Sequence, residues 1–319
     1  DRLLESAGTI RARSGVRSLQ NTMRLAWGSL FVGDIQSFEQ RLSEALLFGR
    51  AGVGLKTLAA DQMRARGDLP RAEAAYRAVL DEVPEHVPAV IRLAELLGQS
   101  ERLEDAQEVV EAGLLVAPDS PPLLAQRGTF RLIAGDPDGA VEDLRAAIDL
   151  NPEFIEARIR LSELFAQSQR LEEAREVIEG GLAVLPDAPP LVAQRGVLRL
   201  FGGDPDGAVE DLRSALALNP GLTSVRDRLW RVLMELDRGQ ESARVIRDGL
   251  LLDGASVVLR AHLAQVLFMT GDRDGAAAEA RRLAAEAGNN AALLQVAREV
   301  LRASGFAAEA DQIVPQSVR

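Results

Sequence analysis

Cysteine is absent from all 319 residues. Disulfides, thiolate metal sites and cysteine nucleophiles are therefore excluded from this chain. Histidine occurs twice, as His86 and His262, and the two do not stand at a metal-ligand spacing. Aromatic residues make up only 4%, and lysine occurs once, at Lys56, so arginine carries the positive charge almost alone. Positive charge is itself in deficit. The net charge is −11, and an acidic chain repels the phosphate backbones of nucleic acids. No run of about 18 apolar residues is present, so nothing in the chain reads as a membrane-spanning helix. Phosphate loops, nucleophile elbows and dinucleotide fingerprints are missing too. The expectation is a non-enzymatic protein with no catalytic residue, no metal and no cofactor.

What is present is helical and repetitive. Hydrophobic residues are 47% and charged residues 27%, a globular balance dominated by Ala, Leu, Arg and Glu. Residues 121–152 read PPLLAQRGTFRLIAGDPDGAVEDLRAAIDLNP, and residues 189–220 read PPLVAQRGVLRLFGGDPDGAVEDLRSALALNP. Between these near-copies lies a related unit that resembles the one before the first copy. The period is 34 residues, and alternate units are the most alike. Repeats 1 to 7 begin at 53, 87, 121, 155, 189, 223 and 257.

In this register small residues recur at position 8 (Ala60, Ala94, Gly128, Ser162, Gly196, Ala264), where Trp230 is the exception. They recur at position 20 as Ala72, Ala106, Ala140, Ala174, Ala208, Ser242 and Ala276. Pro84, Pro118, Pro152, Pro186 and Pro220 stand at position 32, followed by Gly254 and Gly288. Small residues let two helices approach, large apolar residues at position 24 fill the space beside them, and Pro or Gly stops the second helix. This pattern resembles the tetratricopeptide repeat family over 53–290. The resemblance implies an all-α fold, a right-handed superhelical solenoid of tandem helix-turn-helix repeats. Residues 1–52 are expected to form N-terminal helices including a degenerate repeat, and 291–319 a partial repeat acting as C-terminal cap.

The two Gly-Asp-Pro-Asp-Gly runs at 135–139 and 203–207 superficially suggest calcium. They lack the further oxygen ligands of a calcium loop, and read instead as a helix stop, an Asp N-cap and a first-turn Pro. Arg127 and Arg195 occupy position 7, an apolar place, in the same two repeats that carry Asp143 and Asp211 at position 23. Repeats with Leu at 7 carry Val at 23 (Leu93 and Val109, Leu161 and Val177, Leu229 and Val245). Linked change inside one chain points to contact, and hence to a bidentate Arg–Asp pair across each hairpin.

The family resemblance also implies that positions 2, 5, 9 and 12 of the first helices line a groove. Position 12 supplies an apolar stripe of Leu132, Leu200, Met234 and Phe268, with Glu95 and Glu163 beside one half and Arg231 beside the other. The expected ligand is a peptide or helix of a partner protein with apolar anchors. The family's chaperone-tail clamp is absent, since Thr57 and Asp61 stand where its Lys and Asn belong. Its asparagine ladder for sugar transfer is absent as well. Three roles fit: a stand-alone scaffold of bacterial style, the recognition arm of a larger enzyme, or the soluble domain of a membrane-anchored envelope assembly factor. The first residue is Asp, which leaves room for a leader or anchor ahead of it and leaves cytoplasm and periplasm both open. The sequence does not set the oligomeric state.

Overall fold

The computed structural model describes residues 52–313, and every regular element among them is a helix. The helices expected within 1–51, and the tail after Ile313, lie outside the described residues. The chain divides into two compact units, Asp1–Asn151 and Pro152–Arg319. The first holds α1 (Val53–Ala65), α2 (Leu69–Glu82), α3 (Val87–Gln99), α4 (Leu103–Val116), α5 (Pro121–Ile133) and α6 (Pro137–Leu150). The second holds α7 (Ile155–Gln167), α8 (Leu171–Val184), α9 (Pro189–Phe201), α10 (Pro205–Leu218), α11 (Thr223–Glu235), α12 (Gly239–Leu252), α13 (Val257–Met269), α14 (Arg273–Glu286), α15 (Ala291–Ala303) and α16 (Ala307–Ala310).

Each repeat is a hairpin of a 13-residue and a 14-residue helix packed on one another. The close approach has a compositional cause. Ala60, Ala94, Ala264 and Ser162 at position 8 are fully buried, as are all seven residues at position 20. Tyr76, Val110, Ile178, Leu212 and Ile246 at position 24 are likewise sealed from solvent. In the two near-copies glycine replaces alanine at position 8. A Cβ on Gly128 would lie 3.3 Å from Asp143 Cβ, and one on Gly196 would lie 3.1 Å from Asp211 Cβ. No hairpin covers its own apolar face, so stacking within each unit completes the core.

The hairpin turns come in two alternating kinds. Repeats 1, 3, 5 and 7 turn on a glycine at positive φ (Gly67, Gly135, Gly203, Gly271), followed by an aspartate N-cap. Asp136, Asp204 and Asp272 accept from the amides of Gly139, Gly207 and Gly275 at 2.9 to 3.0 Å. Repeats 2, 4 and 6 place Glu101, Gln169 and Asp237 at the same turn position, also at positive φ, near 60°. Their N-cap residues are Arg102, Arg170 and Arg238, which make no cap hydrogen bond and pair instead with Asp105, Glu173 and Glu241.

Two buried arginines, Arg158 and Arg226, donate to backbone carbonyls. Arg158 lies beneath Gly181 with its guanidinium donating to Pro152 O at 3.0 and 3.2 Å and to Val177 O at 3.2 Å. Burial pushes its pKa down from the ordinary arginine value.

Candidate functional site

The first helices of neighbouring repeats touch, α1 on α3 and α3 on α5 in the first unit, α7 on α9 and α13 on α15 in the second. Their position 12 side chains do not behave alike. Leu132 is exposed, whereas Leu200, Met234 and Phe268 are half-buried. Met234 and Phe268 pack against the hydrophobic cluster around Leu263, Leu267 and Leu283. These three side chains are thus not freely open, and Met234 and Phe268 also help to close the core. More open apolar side chains lie one residue further on in repeats 3, 5 and 7. Ile133 is 56% exposed, Phe201 64% and Met269 69%. All three stand at position 13 of repeats 3, 5 and 7, where repeats 2, 4 and 6 carry Gln99, Gln167 and Glu235.

The polar residues divide between the units. In the first, Glu95 accepts from Arg64 and Arg92, both at 3.1 Å, so its charge is already balanced. In the second, Glu163 and Arg231 are exposed, and Arg231 lies over the Trp230 ring at 5.5 Å. A hollow of about 190 Å³ opens between α9 and α11, lined by Pro190, Ala193, Val197, Leu222 and Arg228. An apolar cavity of about 150 Å³ accommodates a benzene ring, so this one suits a single large side chain.

Both histidines are engaged within the fold. His86 Nε2 lies 3.0 Å from Thr57 Oγ1. His262 lies against Trp230 with ring centroids 4.8 Å apart and the planes tilted by 38°, and burial pushes its pKa below the ordinary histidine value. Among the described residues no group of three His, Asp or Glu is placed to hold a metal ion.

The tetratricopeptide repeat pattern matches residues 63–126 and 131–194. Residues 63–126 and 131–194 are tetratricopeptide repeats. The chain's helices superpose on the yeast Tom70 crystal structure with a TM-score of 0.63 at 18% identity, over 86% of this chain and 60% of that one. The Cut9–Hcn1 heterotetramer of the APC/C gives a TM-score of 0.52 at 15% identity, over 88% of this chain and 55% of that chain. At such identities the likeness is one of fold. A relative in Xanthomonas axonopodis pv. citri, described as cellulose synthase operon protein C, is 28% identical over 239 residues, or 72% of this chain. The chain spans only 16% of that protein's length.

Within the tetratricopeptide hairpins of repeats 3 and 5, Arg127 donates to Asp143 from Nε at 2.9 Å and from Nη2 at 2.6 Å. Arg195 reaches Asp211 in the same way, at 3.0 and 2.7 Å. These bonds hold both guanidiniums above their ordinary pKa. Each pair has a third member that reading the sequence missed. Arg131 Nη1 lies 3.1 Å from Asp143, and Arg199 Nη1 lies 3.1 Å from Asp211. The same nitrogens donate to Gly139 O and Gly207 O. The signal was present, because position 11 is Leu97, Phe165, Leu233 and Leu267 in four other repeats and Arg only in these two.

Proposed function

We propose that this chain is a non-catalytic interaction scaffold that holds an extended or helical segment of a partner protein along its first-helix face. The observation that carries the reading is the return of a large, exposed apolar side chain at position 13 in alternate repeats. Exposed apolar surface that recurs at one place in a repeat marks an interface. Charged faces intervene, Glu163 on one side of Phe201 and Asp227, Arg231 and Glu235 on the other. A matching ligand carries spaced apolar anchors with polar and basic residues between them. The hollow beside Ala193 and Val197 would take one anchor.

The test begins with a photoreactive residue in place of Phe201, used to cross-link and identify the partner in cells. Affinity of that purified partner is then measured for the native chain and for Phe201→Glu and Met269→Glu. Loss of an anchor costs about 2 kcal/mol of binding. Melting temperature should hold, since both side chains are mostly exposed. Unchanged affinity, or loss of folding in step with binding, would sink the reading. Phe268→Glu is a poorer probe because Phe268 packs on the core.

A second reading makes the repeats the recognition part of a longer protein. The much longer Xanthomonas relative favours it. Whether that longer protein is an enzyme or a membrane-anchored assembly factor is tested by sequencing outward from both ends of this segment.

A further inference from the structure

A second recess lies on the opposite side of α5. Positions 7 and 11 stand about half a turn away from positions 5, 9 and 12 at 3.6 residues per turn. There a cavity of about 500 Å³ opens between α4 and α5, lined by Glu104, Gln107, Glu108, Glu111, Arg127 and Phe130. Buried Val110 and Phe130 form its apolar floor. We propose that this cavity binds a guanidinium on an alkyl stem.

The size is that of a small-ligand site, about 300 Å³ or more. Carboxylates outnumber cations around it. Glu104, Glu108, Glu111 and Asp143 lie around Arg127 and Arg131; both arginines bond Asp143, and Arg127 also reaches Glu111 at 3.4 Å. The near-copy 68 residues along carries one more cation. Its corresponding carboxylates are Glu172, Glu176, Glu179 and Asp211, and its arginines are Arg195 and Arg199. There Gln107 is replaced by Arg175, which donates to Glu172 at 3.0 Å. Its guanidinium reaches the end of α9, where a Cβ on Gly202 would collide with Nη2. In repeats 2 and 3 the matching residues are Gln107 and Ala134. Gln107 makes only a 3.5 Å contact to Phe130 O and leaves the recess open. One copy of the module thus carries its own arginine at the position where the other carries a glutamine.

The probes are butylguanidine, its neutral isostere butylurea, and N-acetyl-argininamide, each titrated into the full chain and followed by NMR. Butylguanidine should bind saturably and shift the Phe130 ring and Gln107 amide signals. Butylurea should bind at least about tenfold more weakly, as loss of a charge-assisted hydrogen bond implies. Gln107→Arg with Ala134→Gly copies the sister repeat and should abolish binding at unchanged melting temperature. Arg175→Gln with Gly202→Ala should create a second site and double the stoichiometry. Stronger binding of N-acetyl-argininamide than of butylguanidine identifies a partner's side chain as the natural ligand, and the reverse order identifies a free small guanidine. Equal binding of butylurea, binding that survives Gln107→Arg with Ala134→Gly, or no saturable binding by either guanidine would overturn the proposal.

Discussion

The Asp143 cluster makes an asymmetric prediction. Asp143 is 3% exposed and is the common acceptor for Arg127 and Arg131. Asp143→Val strands two guanidiniums at once, whereas Arg127→Leu leaves the carboxylate with Arg131. Breaking a buried pair by removing one partner costs about 3–5 kcal/mol, and the lower end applies because the arginines keep some contact with water. Asp143→Val should therefore cost about 3 kcal/mol, and Arg127→Leu less than about 2, since one charge-assisted bond set remains. Installing the sister repeat's solution, Arg127→Leu with Arg131→Phe and Asp143→Val, should recover most of the loss. Those are the residues found at Leu161, Phe165 and Val177. Urea unfolding followed by circular dichroism reads each variant as a shift in midpoint at constant slope. If Asp143→Val costs no more than Arg127→Leu, or the triple variant is as weak as the single one, the cluster is not what couples these helices.

Two further outcomes follow from packing and burial. A Cβ on Gly181 would lie 2.7 Å from Arg158 Cδ and 2.9 Å from Leu191 Cδ1, whereas Gly180 meets only Arg158 Nη1 at 3.4 Å. Gly181→Ala should cost about 1–3 kcal/mol by overpacking, and Gly180→Ala should gain about 0.5 kcal/mol from helix propensity, both read from urea midpoints. His262 has its folded pKa depressed by burial against Trp230, with Asp227 and Arg231 the charged neighbours that face it. The unfolded chain thus binds the proton more readily. Stability should be full above the unfolded value of about 6.5 and fall as pH drops below it, levelling only below the folded pKa. His262→Phe should flatten that slope in melting temperatures taken between pH 5 and pH 7.5, and an unchanged slope would assign it elsewhere.

Much of the fold was legible because helix geometry depends on local spacing. A small residue at 8, another at 20 and a stop at 32 fix where two helices meet, whatever the neighbours do. The Arg–Asp pairing was legible for a different reason: the chain contains its own controls in the sister repeats. Exposure was harder to read. Met234 and Phe268 occupy the right face of their helices, yet whether a side chain on that face lies open depends on what the next repeat brings against it. Phe201 and Met269 stand one residue further on and escape that contact. The cavity beside Gln107 is visible only in three dimensions, since it is formed by what the glutamine fails to fill.

The alternating turns bear on how the protein comes apart. A non-glycine residue in the left-handed region costs about 1 kcal/mol, and a missing N-cap about another 1 kcal/mol. The hairpins of repeats 2, 4 and 6 carry both costs, at Glu101 and Arg102, at Gln169 and Arg170, and at Asp237 and Arg238. At the same turn their neighbours carry neither. In a stacked array, where each repeat leans only on the next, such hairpins are the places where amides first exchange and proteases first cut. Within each unit firm clasps thus alternate with weaker ones, and the weaker hairpins are expected to open first.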